Sequence, residues 1–333
     1  MKIVLNKLNF DPKEVEEILS RYATDLQNCR NSLTNRLKTD PFGAVVVKYF
    51  EGGKMFRPLL VFITTSALGG RPTEVIEVAE AIEMLHVASL IHDDIIDDAA
   101  IRRRTTTLHT QFNINTAIVI GDYLLFSAFN VLNSTQAVFT ADKVLAASNA
   151  LSNYAKLCCR GQLEELLCEP ETDSEENYLS IARNKTGSPF AAAATLGGIL
   201  LGGTDLEISA LQSYGFNLGI AYQIYDDMLD LTGDSQILGK PVSNSLMLER
   251  PILPLIYLQK YGSQSVRKEY RRLQQAGYPR LQVVALLEQQ GIFEQVSKVQ
   301  EKYLAAALTA LNSLNASREV DLLRTLALFA TAR

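Results

Sequence analysis

Three long stretches of this 333-residue chain contain no proline, and no other feature limits its possible folds as strongly. They run from Thr73 to Glu169, from Phe190 to Lys240, and from Arg280 to the C-terminus. Proline breaks the interior of a helix, so stretches of this length are typical of a mostly helical protein. Folds built from many short strands need turn residues about every ten positions and are disfavoured. We therefore expect an all-α fold.

The composition indicates one large domain rather than two. Apolar residues make up 47% of the chain, which is enough to bury a sizeable core. No linker divides the chain into parts of different composition, so we expect a single domain over residues 1–333. The spacing of apolar residues predicts helices over 57–68, 121–132, 141–167, 174–185 and 205–231.

Charge and cysteine content exclude several classes of function. The net charge of −5 disfavours nucleic-acid binding, because the chain has no basic excess to neutralise phosphates. The four cysteines do not form the matched CxxC pairs of a structural zinc site. The longest apolar run, Phe190 to Gly203, is shorter than the roughly 20 residues of a membrane-spanning helix. We expect a cytoplasmic protein without a stable membrane anchor.

Two acidic motifs in distant parts of the chain share one pattern. LIHDDIID ends at Asp97 and QIYDDMLD ends at Asp230. On a helix, Asp93 lies on the same face as Asp97, one turn apart. Carboxylates on an otherwise apolar helix need a cation to neutralise them, and hard oxygen ligands without cysteine suit Mg²⁺. One such motif alone is also compatible with a solvated helix face, but two of them favour a site for two or three Mg²⁺ that binds a diphosphate.

Basic residues follow the same motifs. Arg102, Arg103 and Arg104 come soon after the first acidic motif, and GGKMFRP supplies Lys54 and Arg57. NKTGS and LGKP each add a lysine. Arginine binds phosphate in a bidentate manner, and lysine acts as a point charge. The combination predicts two sites for anionic groups, one on metal ions and one on Lys and Arg side chains.

Together these motifs resemble the trans-isoprenyl diphosphate synthase (polyprenyl synthetase) family. HDDIIDDAAIRRR resembles its first aspartate-rich motif, QIYDDMLD its second, and GGKMFRP its segment for isopentenyl diphosphate. GDYLL, NKTGS and LGKP follow in the family's order. The resemblance covers about residues 45 to 255. It implies an all-α homodimer whose helices surround a deep cavity. The implied activity is a trans-prenyltransferase that joins isopentenyl diphosphate to an allylic diphosphate, giving an all-trans polyprenyl diphosphate.

The resemblance also implies a role for each matching residue. The Mg²⁺ positions are Asp93, Asp94, Asp97 and Asp226, with Asp227 and Asp230 in supporting or water-mediated roles. The allylic diphosphate positions are Arg102, Lys185 and Lys240, and those for isopentenyl diphosphate are Lys54, Arg57, His86 and Arg103. Thr186 and Gln223 match positions near the reacting carbon and the departing diphosphate.

The chain departs from the family pattern after LGKP. Members often continue with an Asp, a Gly and a Thr-Leu-Pro, whereas Ser245, Glu249 and Ile252 stand at those places here. These changes concern the loop after Lys240 and leave the aspartates of both motifs intact.

Product length depends on the residues upstream of Asp93. The positions four and five before it are Ser89 and Ala88, and these small side chains leave room for a product of C20 or longer. GQLEE, in contrast, is similar to the pattern of short-chain members. Phe126 is expected either to form a lower floor of the cavity or to be an ordinary core aromatic.

Three alternatives remain open from the sequence. They are a short-chain (C15) synthase, a terpene synthase-like enzyme on the same fold, and a non-catalytic partner subunit of a heteromeric synthase. Lys54, Arg57 and Arg103 favour chain elongation over terpene synthesis, and two intact acidic motifs disfavour a non-catalytic subunit.

Overall fold

A computed structural model describes residues 12–50, 53–102, 105–168, 174–233 and 250–332. Helices dominate these ranges, and the strands within them are two-residue segments, Ile101–Arg102 (β1) and Thr105–Thr106 (β2), which pair antiparallel. The expected all-α fold is confirmed.

The helices in the first half of the chain precede and follow the first acidic motif. They are α1 (Pro12–Arg21), α2 (Ala23–Lys38), α3 (Gly43–Phe50), α4 (Phe56–Ala67), α5 (Ile76–Ile96), α6 (Leu108–Gln111), α7 (Ile114–Asn133) and α8 (Ala141–Leu166).

The second half carries the other motif and the C-terminal helices. These are α9 (Glu175–Ile181), a π-helical segment (Ala182–Gly187), α10 (Ser188–Leu201), α11 (Asp205–Thr232), α12 (Leu253–Tyr261), α13 (Gln264–Gln275), α14 (Arg280–Gln289), α15 (Ile292–Ala310) and α16 (Arg318–Ala330).

Side-chain caps explain why several helices begin where they do. Asn113, Ser174 and Ser317 each accept a hydrogen bond from a backbone N–H in the first turn of the following helix. At α11, Thr204 and Glu207 form a reciprocal capping box. The predicted helix over 205–231 is thus confirmed almost to the residue, and the one over 121–132 is the second half of a longer helix, α7.

Two hydrophobic clusters hold the helices together. The larger joins α2 to α5, α7, α8, α10, the first half of α11 and α16. The smaller joins α9, the second half of α11 and α12 to α15. Because α11 contributes to both clusters, the position of its C-terminal half, which carries the second acidic motif, is fixed by packing on two sides.

One apolar stretch has an unusually exposed face. Residues Ile114–Ala137 are long and apolar enough to cross a membrane, by length and composition alone, and 28% of the most apolar window is buried. The sequence analysis missed this stretch. The exposed apolar side chains of α7 include Ile114, Ile118, Val119 and Phe126, while its other face packs on α5.

Candidate functional site

The first acidic motif lies at the C-terminal end of α5. Asp93 and Asp94 are in the last turn of the helix, and Asp97 is the residue that follows it. The side chain of Asp97 is largely buried and forms an ion pair with Arg250, 153 residues later in the chain. Burial and the neighbouring Asp93 raise the pKa of Asp97 to about 6.

Asp93 lies between two cations. Its Oδ2 is 3.5 Å from Nη2 of Arg102, and its Oδ1 is 3.5 Å from Nζ of Lys185. This Oδ1 is buried and accepts no hydrogen bond from the described residues. Because a carboxylate oxygen has two lone pairs, Asp93 retains the capacity to bind a further ligand.

Asp94 is enclosed by protein groups. Its Oδ1 accepts a hydrogen bond from Nε of Arg102, and its Oδ2 lies 3.5 Å from the hydroxyl of Tyr49. The side chain is 1% exposed, and burial raises the pKa of Asp94. The sequence groups Asp94 with the metal ligands, whereas the structure directs both of its oxygens to Arg102 and Tyr49.

The second acidic motif lies within α11 and is held by neutral donors. Oδ2 of Asp227 accepts a hydrogen bond from the hydroxyl of Tyr178 at 2.6 Å, and Oδ1 accepts one from the amide of Gln223 at 2.8 Å. Burial raises the pKa of Asp227 to about 7, although both donors favour the ionised form. Asp226 is partly exposed and Asp230 is buried.

Lys185 and Thr186 lie in the π-helical segment, which interrupts the expected helix over 174–185. π-Helical turns are rare and occur most often at functional sites. Neighbouring helices approach this segment closely where they carry glycine. A Cβ on Gly161 of α8 would lie 2.3 Å from the backbone N of Lys185, and one on Gly219 of α11 would lie 2.5 Å from Cα of Gly187.

A chain of polar contacts through this segment joins the two acidic motifs. Lys185 faces Asp93 of the first motif, and Thr186 donates a hydrogen bond to Oε1 of Gln223 at 2.5 Å. Gln223 in turn donates to Asp227 of the second motif. Both motifs therefore face one site, as the shared sequence pattern predicts.

A pocket opens at this site, between α8, the π-helical segment, α11 and the start of α12. Its lining combines charged and apolar groups: Glu165, Tyr178, Ile181, Ala182, Lys185, Thr186, Gln223, Asp227, Arg250, Pro251 and Ile252.

The residues expected to hold isopentenyl diphosphate lie at the start of α4 and on α5. Lys54 precedes α4, whose first turn contains Arg57, and His86 is on the face of α5 that carries Asp93. The guanidinium of Arg57 lies 4.9 Å from the ring centroid of Phe190 on α10. Arg103 and Lys240, which the sequence also assigns to substrate, lie outside the described residues.

The residues expected to set product length differ in exposure. Ala88 is buried, whereas Ser89 is exposed and donates a hydrogen bond to the carbonyl of His86 at 2.8 Å. Phe126 is 67% exposed, so it does not belong to the core. The expectation that Phe126 is a core aromatic is wrong, because its side chain projects from the outer face of α7 while the inner face packs on α5. Its role in product length stays a prediction.

Three residues of the site have no assignment from the sequence. Oε2 of Glu165 accepts from Lys185 at 2.6 Å, Arg250 pairs with Asp97, and Tyr178 donates to Asp227. Glu165 could have been found, because it ends the GQLEE segment considered only for product length. Arg250 and Tyr178 are isolated residues in the sequence, and only the fold brings them to the site.

The acidic side chains suit a hard divalent cation. Within the described ranges, no three acidic, histidine or cysteine side chains are grouped closely enough to hold an ion on their own. Mg²⁺ commonly uses one or two carboxylates together with water and substrate phosphates, so it does not require such a group. The buried Oδ1 of Asp93 and the absence of a sulfur ligand in either motif match that preference.

The chain is similar to known proteins of one family over most of its length. The profile of the polyprenyl synthetase family matches residues 41–284. An octaprenyl diphosphate synthase of Haemophilus influenzae is 31% identical over 260 residues, which are 76% of each chain. A short chain isoprenyl diphosphate synthase of Methanothermobacter thermautotrophicus is 32% identical over 96% of this chain and 99% of its own.

A solved structure shares the fold. It is a polyprenyl synthase of Caulobacter crescentus in complex with calcium and isoprenyl diphosphate, and it has a TM-score of 0.86 at 25% identity. The match covers 96% of this chain and 98% of that one.

Proposed function

The chain belongs to the polyprenyl synthetase family, and from this premise we propose that it is a trans-prenyltransferase that elongates an allylic diphosphate with isopentenyl diphosphate. One observation carries the proposal. The polar chain from Asp93 through Lys185, Thr186 and Gln223 to Asp227 places cations and hydrogen-bond donors between two acidic motifs. That is the arrangement needed to receive a departing diphosphate.

The reaction breaks a C–O bond and a C–H bond and forms a C–C bond. The C–O bond of the allylic diphosphate breaks and leaves an allylic cation. The double bond of isopentenyl diphosphate attacks this cation, and a proton is then lost to give the new trans double bond. We assign proton removal to the released diphosphate.

The protein's own groups stabilise the charge that develops on the leaving diphosphate. Lys185 and Arg102 flank Asp93 and supply positive charge at fixed positions. Gln223 accepts a hydrogen bond from Thr186, which fixes the orientation of both polar groups in the π-helical segment and α11. Apolar residues of α10 and α11 surround this end and limit the access of water to the cation.

A divalent metal is part of this proposal. The Caulobacter crescentus relative was solved with calcium, and the hard oxygen ligands here favour Mg²⁺. We assign Asp93, Asp97 and Asp226 as the ligands, with Asp227 and Asp230 in support. Bound Mg²⁺ supplies Lewis-acid stabilisation of the diphosphate.

The two diphosphates have separate sets of partners. We assign the allylic diphosphate to Arg102, Lys185 and Lys240. Isopentenyl diphosphate is assigned to the residues that precede and follow the first acidic motif, namely Lys54, Arg57, His86 and Arg103.

We propose an all-trans product of C20 or longer. The relatives include both a short-chain and an octaprenyl synthase, so their names alone do not choose between lengths. The small, exposed Ser89 lies on the face of α5 that carries Asp93, one turn deeper, where a large side chain would block a growing chain. Ser89→Phe is expected to shorten the product, whereas Phe126→Ala, on the outer face of α7, leaves it unchanged.

We also propose a cytoplasmic homodimer. The exposed apolar side chains of α7 offer a surface that a second copy of the chain can cover. Cys29, Cys158 and Cys159 carry free thiols, as is usual in a reducing compartment.

Incubation with Mg²⁺, labelled isopentenyl diphosphate and farnesyl diphosphate tests the proposal. We expect labelled polyprenyl diphosphates whose length is read by chromatography after removal of the diphosphate. A terpene synthase would release hydrocarbon or alcohol without incorporating the label, and a non-catalytic subunit would consume neither substrate. Failure to incorporate label with any C5 to C20 starter would reject the proposal.

A further inference from the structure

The buried Asp94 forms an ion pair with the partly exposed Arg102, and this contact argues against a metal role for the aspartate. Nε of Arg102 donates to Oδ1 of Asp94, which leaves the Nη2 end of the guanidinium directed toward Asp93. Arginine can bind a phosphate with its remaining N–H groups while Nε is engaged. The orientation of Arg102 at the site therefore depends on where Asp94 is held.

Tyr49 of α3 contacts the other oxygen of Asp94. Its hydroxyl lies 3.5 Å from Oδ2 of Asp94 and accepts a hydrogen bond of 2.7 Å from the backbone N–H of Leu108. Leu108 begins α6, directly after the β1–β2 pair that carries Arg102. Tyr49 thus joins three parts of the chain, which are α3, the end of α5 and the segment that follows the arginines.

The surroundings of Tyr49 keep its hydroxyl protonated. Burial and the negative charge of Asp94 raise the pKa of Tyr49 to about 12. At neutral pH the hydroxyl therefore acts as a donor toward the carboxylate and as an acceptor toward Leu108.

We propose that Tyr49 is a positioning residue, which acts through Asp94 to fix Arg102 for the allylic diphosphate. In this arrangement Asp94 serves the arginine and is not a metal ligand. The inference rests on the proposed function for the role of Arg102, while the contacts among Tyr49, Asp94 and Arg102 are independent of it.

Tyr49→Phe removes only the hydroxyl. We expect the KM for farnesyl diphosphate to rise about fivefold, because the hydroxyl's contacts with Asp94 and Leu108 are lost, with the KM for isopentenyl diphosphate and kcat within twofold of wild type. Tyr123→Phe is the matched control, because Tyr123 also donates to an aspartate, Asp40, away from the site. Equal kinetics for both variants in an active enzyme would overturn the inference.

A binding measurement separates positioning from a general structural effect. Calorimetry with farnesyl thiodiphosphate, an unreactive analogue, is expected to show the same fivefold weakening in Tyr49→Phe. In an Arg102→Lys background, which lacks the Nε contact, Tyr49→Phe should add less than twofold. Effects that multiply in the double variant would show that Tyr49 does not act through this pair.

A metal titration tests the role of Asp94. We expect Asp94→Asn to raise the KM for farnesyl diphosphate at least fivefold while the Mg²⁺ concentration for half-maximal thermal stabilisation stays within twofold. Asp93→Asn is the comparison and should raise that concentration severalfold. An equal rise in Asp94→Asn would make Asp94 a metal ligand. Absence of turnover in wild type would instead reject the proposed function, and leave the thermal titration to decide the role of Asp94.

Discussion

The two acidic motifs have the same spacing but reduce their negative charge in different ways. The first meets cations from three distant parts of the chain: Arg102, Lys185 and Arg250. At the second, the described contacts of Asp227 are with a neutral hydroxyl and a neutral amide, from Tyr178 and Gln223. Carboxylates of the first motif are therefore paired with cations, whereas Asp227 of the second motif is held by neutral hydrogen-bond donors.

The difference follows from the surroundings of each helix end. The first motif is at the very end of α5, where the negative end of the helix dipole disfavours acids unless cations are near. Asp227 lies more than a turn before the end of α11, between two helices that exclude water. Burial there raises the pKa of Asp227 to about 7, so protonation is the easier way to lower its charge. The shared sequence pattern thus sets the spacing of the acidic residues, and the residues packed around each carboxyl determine how its charge is balanced.

The largest expected effect is at the first motif. Asp93→Asn removes the carboxylate between Arg102 and Lys185 that we propose as a metal ligand, and kcat/KM is expected to fall by ~10²–10³-fold. Steady-state kinetics with saturating Mg²⁺ measure this. Asp98→Asn is the control, because that side chain is fully exposed beside the motif, and it should stay within twofold. A decrease in kcat/KM of less than tenfold in Asp93→Asn would contradict the expected difference between the two motifs.

A smaller effect is expected at the second motif. Asparagine resembles the protonated acid, and at neutral pH Asp227 is already partly protonated, so Asp227→Asn should lower kcat/KM by about tenfold. The same assay measures it. A loss as large as that of Asp93→Asn would mean that both motifs act only in their ionised forms.

Tyr178→Phe should change the pH dependence more than the rate. The hydroxyl donates to Asp227 and favours its ionised form, so its removal raises the pKa of Asp227 further. We expect about a fivefold loss at pH 7 and an acid limb of the kcat/KM profile displaced to higher pH. Tyr261→Phe, an exposed tyrosine on α12, is the control. An unshifted acid limb would show that Asp227 does not govern it.

The smallest effect concerns stability without metal. The pKa of Asp227 is higher in the folded protein than in the unfolded chain, so the folded form binds the extra proton and is favoured at low pH. This contribution of Asp227 to the stability of the folded protein is lost as the pH rises from about 4 through 7. Asp97, with its pKa raised to about 6, contributes in the same direction.

Thermal unfolding in EDTA between pH 5 and pH 8 checks this. Wild type is expected to lose a few degrees more of its Tm over that range than Asp227→Asn, which lacks the contribution of Asp227 and retains those of Asp94 and Asp97. Parallel curves for the two proteins would indicate that Asp227 is ionised throughout.

Much of the fold was predictable from local rules. The gaps between prolines anticipated the long helices α5, α7, α8 and α11, and Asn113 and Thr204 cap the starts of α7 and α11. Both acidic motifs and the Lys185–Thr186 pair were also evident, because their residue types are unusual on apolar helices.

The remaining features depend on tertiary contacts. The ion pair of Arg250 with Asp97 spans 153 residues, and no local pattern encodes it. The burial of Asp94 follows from α3 and α6 packing over the end of α5, and the family resemblance that implied a metal role for Asp94 does not reveal these contacts. Phe126 was misjudged because the sequence shows that a helix has an apolar face without showing which side is covered.

The π-helical segment makes the number of residues at this point as important as their identity. The helix from Glu175 to Leu201 continues through Ala182–Gly187 with a wider turn, which in effect contains one residue more than an α-helix of the same length. Removing that extra residue would let the segment close into ordinary α-helical turns, and the helices before and after it would keep their relative orientation. Tyr178 would then stay beside Asp227 and Phe190 beside Arg57, but the side chains of Lys185 and Thr186 would point in new directions. The extra residue therefore sets the direction of the site's own side chains without affecting the core that supports them.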